Sequence, residues 1–328
     1  MFAAPVNPAP PNSLLPRFAW FVVFYNLLVI VWGALVRASG SGAGCGNHWP
    51  LCNGQVIPVS PGLHTIIEFT HRMMVGGSTF FVIALLVWGF RGTLKGHAAR
   101  ALAVASTLLL LNEAFLGALL VKLGYVTGNQ STGRIVLLSI HLGNTLLLMA
   151  ALTLTARFLS TGQRWADLPL TRRFFGVVEG LVTTIFVGIT GSVAALGDTL
   201  FPASSLHASV AQDLGAGSPM LLRLRIVHPA LALVAALFAL WLVAQSRKPD
   251  LTHSTAQHTG RARLSNLLLL LLGLQFALGI ADVLLLAPAW MQLLHLFGAD
   301  LFWIALVLLA AQTLWPGTTA SATDLNHA

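Results

Sequence analysis

Charged side chains are scarce in this sequence. Asp, Glu, Lys and Arg make up 9% of its 328 residues, whereas an average soluble domain contains roughly 25%. This scarcity excludes an ordinary soluble enzyme. The sequence has instead a series of long uncharged apolar runs, and each exceeds the roughly 18 to 20 residues that cross a hydrocarbon core of about 30 Å. The sequence therefore predicts an all-α polytopic membrane protein.

Acidic residues are especially few. Ten Asp and Glu against 18 Lys and Arg give a formal net charge of +8. In a soluble chain this excess would suggest a nucleic-acid partner. Here the basic residues stand in short loops between apolar runs, where they set the membrane topology. We therefore expect no nucleic-acid binding.

A recognisable leader is also missing from the first seventeen residues, which carry a single Arg and many prolines. They lack the charged start and apolar block of a signal peptide, and the Arg-rich character of a transit helix. We therefore expect a protein of the bacterial inner membrane whose first helix acts as its own insertion signal.

Eight apolar windows are long enough to be transmembrane helices. They cover residues 18–36, 65–90, 100–122, 134–156, 174–195, 222–245, 264–286 and 289–314. One face of the membrane holds twelve Lys and Arg in its loops and N-terminal segment, against five at the opposite face. The positive-inside rule then places both termini in the cytoplasm and the two longest loops, 37–64 and 196–221, outside.

The second half of the chain echoes the first at offsets of about 154 to 162 residues. The FLG of residues 115–117 is echoed by FALG at 276–279, and the HLG of 141–143 by HLFG at 295–298. Four spans return the chain to its starting side, so the repeat is parallel, about an axis along the membrane normal. We predict two four-helix bundles, residues 1–158 and 174–328, joined by a cytoplasmic linker, 159–173.

Four of the eleven histidines fall inside predicted spans, all of them even-numbered: His71, His141, His228 and His295. Each lies six or seven residues from the outer end of its span, roughly 10 Å deep at 1.5 Å per residue. A single such histidine can be a hydrogen-bonding spacer. Four at one depth favour paired ligands, because two imidazoles facing across a bundle can hold haem iron. We pair His71 with His141, and His228 with His295.

Small residues near these histidines would leave room for a macrocycle, or they serve close helix packing. They are Gly76, Gly77, Gly143, Ala230 and Gly298.

Glu68 stands three residues before His71, so the two share one helical face. A carboxylate in a span is costly unless it is functional or paired, and the alternative to a functional role is an ion pair with Arg72. No acid precedes His228 at the corresponding positions. The N-terminal pair is therefore the candidate reacting site, and the C-terminal pair the candidate site of a resident cofactor.

Other acids in the spans have less context. Glu113 in the third span can reach the layer of the histidines, and its counterpart in the repeat is Gln275. Glu179, Asp282 and Asp300 are assigned no role.

The only two cysteines, Cys45 and Cys52, lie in the first outer loop. On an oxidising face this spacing is typical of a disulfide, and a metal pair completed by His48 is the alternative. If the disulfide is reducible, it can exchange electrons or thiols near the N-terminal site. Otherwise it is a loop staple.

Three motifs together carry a family resemblance: RASGSGAGC at 37–45, WPLCNG at 49–54 and EFTHR at 68–72. With single histidines in spans 4, 6 and 8, they resemble the haem A synthase family. The resemblance implies an enzyme that oxidises a methyl group of haem O to the formyl group of haem A by two successive hydroxylations, for terminal oxidases. The later outer loop lacks the second cysteine pair that some members carry.

The resemblance also implies roles for individual residues. His71 and His141 would bind the substrate haem, His228 and His295 a resident haem b, and Glu68 would be needed for catalysis. Cys45 and Cys52 would act in the external loop. Haem O synthase and terminal oxidase assembly factors are the expected partners, together with an electron acceptor that the sequence does not identify.

Two other classes of membrane protein compete with this interpretation. A quinol-linked di-haem cytochrome b would need haem sites near opposite faces, whereas all four histidines lie toward one face. A transporter also fits a parallel repeat, but the sequence has no pair of Gly/Pro-broken spans at the midplane.

Overall fold

The structure, a computed structural model, describes residues 14–162, 171–248 and 255–315. In the last of these ranges it describes side chains from residue 259 onward. The described residues contain eight helices long and apolar enough to cross a membrane. The helices are α1 Leu14–Ala38, α2 Leu63–Gly92, α3 Ala98–Lys122, α4 Thr132–Thr161, α5 Arg172–Leu200, α6 Leu206–Leu214, α7 Met220–Arg223, α8 Val227–Ser246, α9 Thr255–Leu284 and α10 Ala289–Leu314. The prediction of an all-α, multi-pass membrane protein is confirmed.

The sixth span is built from α7, a 3₁₀ turn Leu224–Ile226 and α8. Pro229 explains the tight turn: a proline has no N–H to donate to the carbonyl four residues earlier, and its ring crowds that carbonyl. The short helix α6 precedes this span in the second long loop and buries none of its residues.

Side-chain caps fix several helix ends. Ser131 accepts a hydrogen bond from the backbone N–H of Arg134 at the start of α4, and Thr171 accepts one from Phe174 at the start of α5. Such caps satisfy backbone donors that the first turn of a helix leaves unpaired. At the other end of α4, Gly162 takes a left-handed conformation with φ of 67° and ends the helix.

The spanning helices pack as two four-helix bundles. In the N-terminal bundle α1 and α3 each contact α2 and α4, and in the C-terminal bundle α5 and α9 each contact α8 and α10. Across the boundary, α4 packs on α5 and α10, and α1 packs on α10. One continuous apolar cluster therefore joins the halves and includes Leu85, Leu152 and Leu306.

Polar contacts also cross between the bundles. The Arg37 guanidinium donates from Nη1 to the carbonyl of Ala195 (2.8 Å) and to Oγ1 of Thr199 (2.9 Å), and from Nη2 to Oε1 of Gln292 (2.9 Å). These contacts tie the end of α1 to α5 and α10.

The predicted spans all correspond to observed helices, which are longer by a few residues at most ends. The proposed bundle limits, 1–158 and 174–328, stay predictions. Part of the predicted linker (163–170) and both termini (1–13 and 316–328) lie outside the described residues.

Candidate haem site

The four histidines of the spans occupy equivalent positions in the two halves. His71 is 8 residues after the start of its helix at Leu63, His141 is 9 after Thr132, His228 is 8 after Met220 and His295 is 6 after Ala289. At 1.5 Å per residue these steps place all four rings about 9 to 14 Å from the helix starts. The helices α2, α4, α7 and α10 all begin at the end of the molecule that carries the loops 39–62 and 201–219, which we call the long-loop end.

The two histidines of the C-terminal bundle lie close together. The ring centres of His228 and His295 are 6.3 Å apart, with an angle of 86° between the ring planes. The predicted pairing of His228 with His295 requires two neighbouring rings, as observed, and the pairing of His71 with His141 stays a prediction.

The Nδ1 atoms of these rings differ in their surroundings. Nδ1 of His228 lies 3.1 Å from the carbonyl oxygen of Val187 on α5. A donor bond there leaves Nε2 as the atom that carries the lone pair, as in most metal-bound histidines. Nδ1 of His71, His141 and His295 is buried without a hydrogen-bond partner, although that of His141 stands 3.3 Å from a carboxylate oxygen of Glu113.

A glycine on the preceding spanning helix faces each ring. A Cβ added at Gly33 would lie 3.0 Å from Cε1 of His71, and one at Gly191 would lie 2.9 Å from Cε1 of His228. Gly117 and Gly279 face His141 and His295 in the same way, at 3.8 and 3.3 Å. Each imidazole thus packs directly on the backbone of its neighbouring helix.

The small residues singled out in the sequence have other neighbours. A Cβ at Gly77 would meet the hydroxyl of Tyr25, one at Gly143 the side chain of Ile189 on α5, and one at Gly298 the amide of Gln275. Helix packing accounts for these three glycines.

Glu68 is 3% exposed and is fixed by two different donors. Its Oε1 accepts from Nη2 of Arg72 at 2.5 Å, and its Oε2 accepts from the backbone N–H of Cys45 at 2.8 Å. Nη1 of Arg72 in turn donates to the carbonyls of His48 and Leu51. The ion pair considered from the sequence is therefore present, and it also ties the outer loop to α2.

The two cysteines form the disulfide, Cys45–Cys52, with an S–S distance of 2.05 Å. Among the residues that the structure describes, no group of three His, Cys, Asp or Glu could hold a metal ion in the usual way, so the alternative with His48 gains no support. The disulfide loop packs closely against the N-terminus of α2. This approach requires a glycine at Gly44, because a Cβ there would overlap the backbone of His64 and Thr65.

Comparison with known proteins decides the family. A family model described as COX15-CtaA, cytochrome oxidase assembly protein, matches residues 16–307. The chain belongs to this family. The resemblance drawn from the sequence motifs is thereby confirmed.

Curated relatives of this chain carry two names. A protoheme IX farnesyltransferase from Thermus thermophilus is 42% identical over 316 residues, which are 94% of this chain and 50% of the relative. A heme A synthase from an Exiguobacterium species is 32% identical over 190 residues, 57% of this chain and 60% of the relative. One from Shouchella clausii is 40% identical over 131 residues, 40% of this chain and 41% of the relative. The chain spans about half the length of the curated relatives it matches.

Haem is the group that membership of this family implies, and the histidine pairs fit it. A metal held between two imidazole nitrogens, at about 2.0 to 2.1 Å from each, would separate the two ring centres by about 6.2 to 6.4 Å. His228 and His295 have this separation.

Sequence reasoning found the histidines, Glu68 and the cysteines, but it missed the glycines that face the rings. Gly33 and Gly191 stand at corresponding places in the first and fifth spans. Their offset of 158 residues, close to the 157 between His71 and His228, was a signal that could have paired each glycine with its histidine.

Proposed function

We propose that this chain is a haem A synthase, which oxidises a methyl group of haem O to the formyl group of haem A in two successive hydroxylations. Such an enzyme would supply haem A for assembly of terminal oxidases. The observation that carries the proposal is the presence of two histidines at equivalent positions in each bundle, with the ring centres of His228 and His295 6.3 Å apart, in a member of the cytochrome oxidase assembly family. The relatives named heme A synthase point the same way.

We assign the substrate haem to His71 and His141, and a resident haem b to His228 and His295. The asymmetry of the long-loop end favours this assignment. In the N-terminal half a buried carboxylate, Glu68, stands three residues before His71 on α2 and accepts a hydrogen bond from the disulfide loop. In the C-terminal half the residue three positions before His228 is Arg225, which forms ion pairs with Asp198 and Asp213.

Glu68 is the proposed catalytic residue. Each carboxylate oxygen has two lone pairs, so an oxygen that already accepts from Arg72 or from the N–H of Cys45 can still accept a proton or orient a water molecule. Each hydroxylation would add the oxygen of one water molecule and release two protons and two electrons, the electrons passing to an external electron acceptor. The first gives an alcohol, and the second gives a hydrated aldehyde that loses water to become the formyl group. A resident haem supplies one-electron transfer when it is bound.

The alternative function, electron transfer by a quinol-linked di-haem cytochrome, is not favoured. Both histidine pairs lie at similar distances from the same end of their helices, whereas transfer across a membrane needs a haem near each face.

A protohaem farnesyltransferase is the proposed partner. The relative from Thermus thermophilus bears that name, and this chain aligns with only half of its length. A farnesylated haem is strongly apolar, so direct transfer between neighbouring proteins would keep it out of water. Terminal oxidase assembly factors would receive the product.

We further propose that both termini face the cytoplasm of a bacterial inner membrane, and that the long-loop end faces outward. Since both native cysteines are in a disulfide, one introduced cysteine reports the orientation. A membrane-impermeant maleimide should label His207→Cys in intact spheroplasts and Lys95→Cys only after permeabilisation. The reverse pattern would overturn the orientation.

Extraction and reversed-phase separation of haems from protein purified from cells that make haem O would test the function. We expect haem B, haem O and haem A from the unmodified chain, and haem B and haem O without haem A from Glu68→Gln. Glu179→Gln, which alters an exposed carboxylate of α5, is the matched control and should retain haem A. Haem A from a Glu68→Gln variant would remove the role of Glu68, and haem B alone from every variant would contradict the synthase.

A further inference from the structure

Glu113 and Gln275 occupy equivalent positions in the two bundles. Each lies four residues before the glycine that faces a histidine ring. Glu113 on α3 and Gln275 on α9 therefore lie on the helix faces that meet His141 and His295. One half therefore places a carboxylate beside its histidine, and the other half places an amide. The catalytic proposal above gives neither residue a role.

Three residues on one face of α4 surround the Glu113 carboxylate, and two of them donate hydrogen bonds to it. Its Oε1 stands 3.3 Å from Nδ1 of His141 and accepts a hydrogen bond from Oγ1 of Thr145. Its Oε2 accepts from Nδ2 of Asn144 at 2.5 Å. Asn144 is itself fixed, because its Oδ1 accepts from Nδ2 of Asn112 at 2.8 Å. Positions 141, 144 and 145 follow the spacing that brings side chains to one face of a helix.

The Nδ1 atom of His141 has no hydrogen-bond partner. The carboxylate oxygen at 3.3 Å is correctly placed to become one, because a small rotation of the ring would aim the N–H at it. Metal-bound histidines commonly donate this N–H to a carboxylate, which fixes the ring orientation and makes the other nitrogen a stronger donor.

The amide in the other half makes no such contact. Nε2 of Gln275 and Nδ1 of His295 are both buried without a hydrogen-bond partner. The Gln275 amide lies against Gly298 instead. The two histidines are thus equivalent in position but differ in the group that their Nδ1 atoms meet.

We propose that Glu113 is a positioning residue for His141: its carboxylate accepts the Nδ1 proton, orients the ring across the bundle and strengthens it as an iron ligand. The inference rests on the proposed haem ligation by His71 and His141. A more basic axial ligand stabilises the oxidised iron, since hydrogen bonding around an axial ligand is one of the levers that set a haem potential. The N-terminal haem then has a lower reduction potential than it would have with an amide at residue 113.

Redox titration of the haem-loaded full-length protein, followed by visible absorption, tests this inference. The N-terminal haem is identified as the one that a His141→Ala variant lacks. In Glu113→Gln this haem should become easier to reduce, by about tenfold in the equilibrium constant of reduction, which is 59 mV for a one-electron couple. The reciprocal Gln275→Glu should shift the haem absent from a His295→Ala variant in the opposite direction. Glu113→Asp, which keeps a carboxylate, should restore most of the original potential.

Thr145→Val is the control that tests whether disturbing the hydrogen bonds around Glu113 is enough to shift the potential. It removes a donor to the same carboxylate and leaves the acceptor of His141 in place, so it should not make the haem easier to reduce. An unchanged potential in both Glu113→Gln and Gln275→Glu, with both haems bound, overturns the role of Glu113 and leaves the haem sites standing. If His141→Ala loses no haem, the proposed ligation itself fails. If Glu113→Gln does not fold, the result for Gln275→Glu decides the inference.

Discussion

A glycine against an imidazole is the contact that recurs most regularly at the scale of single residues. Gly33, Gly117, Gly191 and Gly279 each face a histidine from the neighbouring helix. A methyl group at Gly191 would stand 2.9 Å from Cε1 of His228 and 3.1 Å from its Nδ1, closer than carbon atoms pack at their optimal separation of about 3.5 to 4.0 Å. The glycine therefore sets how near the ring can lie to α5.

Substitution of Gly191 by Ala should displace the His228 ring and impair haem binding in the C-terminal bundle. We expect the ratio of haem B to protein to fall by about half or more, measured by the pyridine haemochrome assay. Alanine is more favourable than glycine in a helix by about 1 kcal/mol, so loss of helix stability would not explain the result. Gly273→Ala on α9, where a Cβ meets nothing within 4 Å, should keep its haem, and equal haem loss from both variants would contradict the explanation.

At the scale of elements, the first outer loop is fixed to α2 from two sides. The disulfide closes the segment 45–52, and Glu68 and Arg72 of α2 bind its backbone N–H and carbonyl groups. The loop therefore shapes the surroundings of Glu68, and its order depends on both attachments.

Replacement of Cys45 and Cys52 by Ser should loosen this loop. In the chain-entropy relation, closing so short a loop is worth about 2.5 kcal/mol. Limited proteolysis followed by mass spectrometry should show faster cleavage within 45–52, by up to about sixtyfold, since each 1.4 kcal/mol corresponds to a factor of about ten. Asn53→Asp, which removes the exposed donor to the carbonyl of Gly44 and still tolerates the φ of 51° at this position, is the control. Unchanged cleavage in the double variant would mean that Glu68 and Arg72 hold the loop without the disulfide.

At the scale of the whole molecule, the two bundles are joined by apolar packing and by a few buried hydrogen bonds. Nε1 of Trp303 donates to the carbonyl of Leu146 at 2.9 Å across the boundary. Arg37 contributes three more bonds, to residues of α5 and α10. Hydrogen bonds from charged groups contribute about 1.5 to 3 kcal/mol each when they are buried, so Arg37 is a main polar connection between the halves.

Arg37→Met should lower the apparent Tm of the detergent-solubilised protein by about 5 °C or more, because a loss of 1 kcal/mol shifts Tm by about 2 to 4 °C in chains of 150 to 250 residues. Thermal unfolding followed by tryptophan fluorescence measures the change. Arg223→Met removes an exposed arginine at the same end of the molecule and should change Tm little. Equal shifts in Tm for the two variants would show that the contacts of Arg37 between the bundles do not stabilise the protein specifically.

Local sequence features predicted much of this architecture. The apolar runs gave the eight spans, because a span must satisfy its backbone hydrogen bonds within itself and expose apolar side chains along about twenty residues. The spacing of Glu68, His71 and Arg72 gave their shared helical face and the observed ion pair. The repeat of the histidines predicted which of them pair.

The sequence by itself therefore determined the class of protein, the helices and the identity of the candidate ligands, since these depend on hydropathy and on spacings of a few residues. Only the tertiary structure decided which distant residues meet: Gly191 with His228, Arg37 with Gln292, and Glu113 with His141. Such contacts join helices across 28 to 255 residues of chain, where no periodicity fixes rotation or depth. The packing of whole helices sets both, and it places a carboxylate beside one histidine and an unpaired amide near its counterpart.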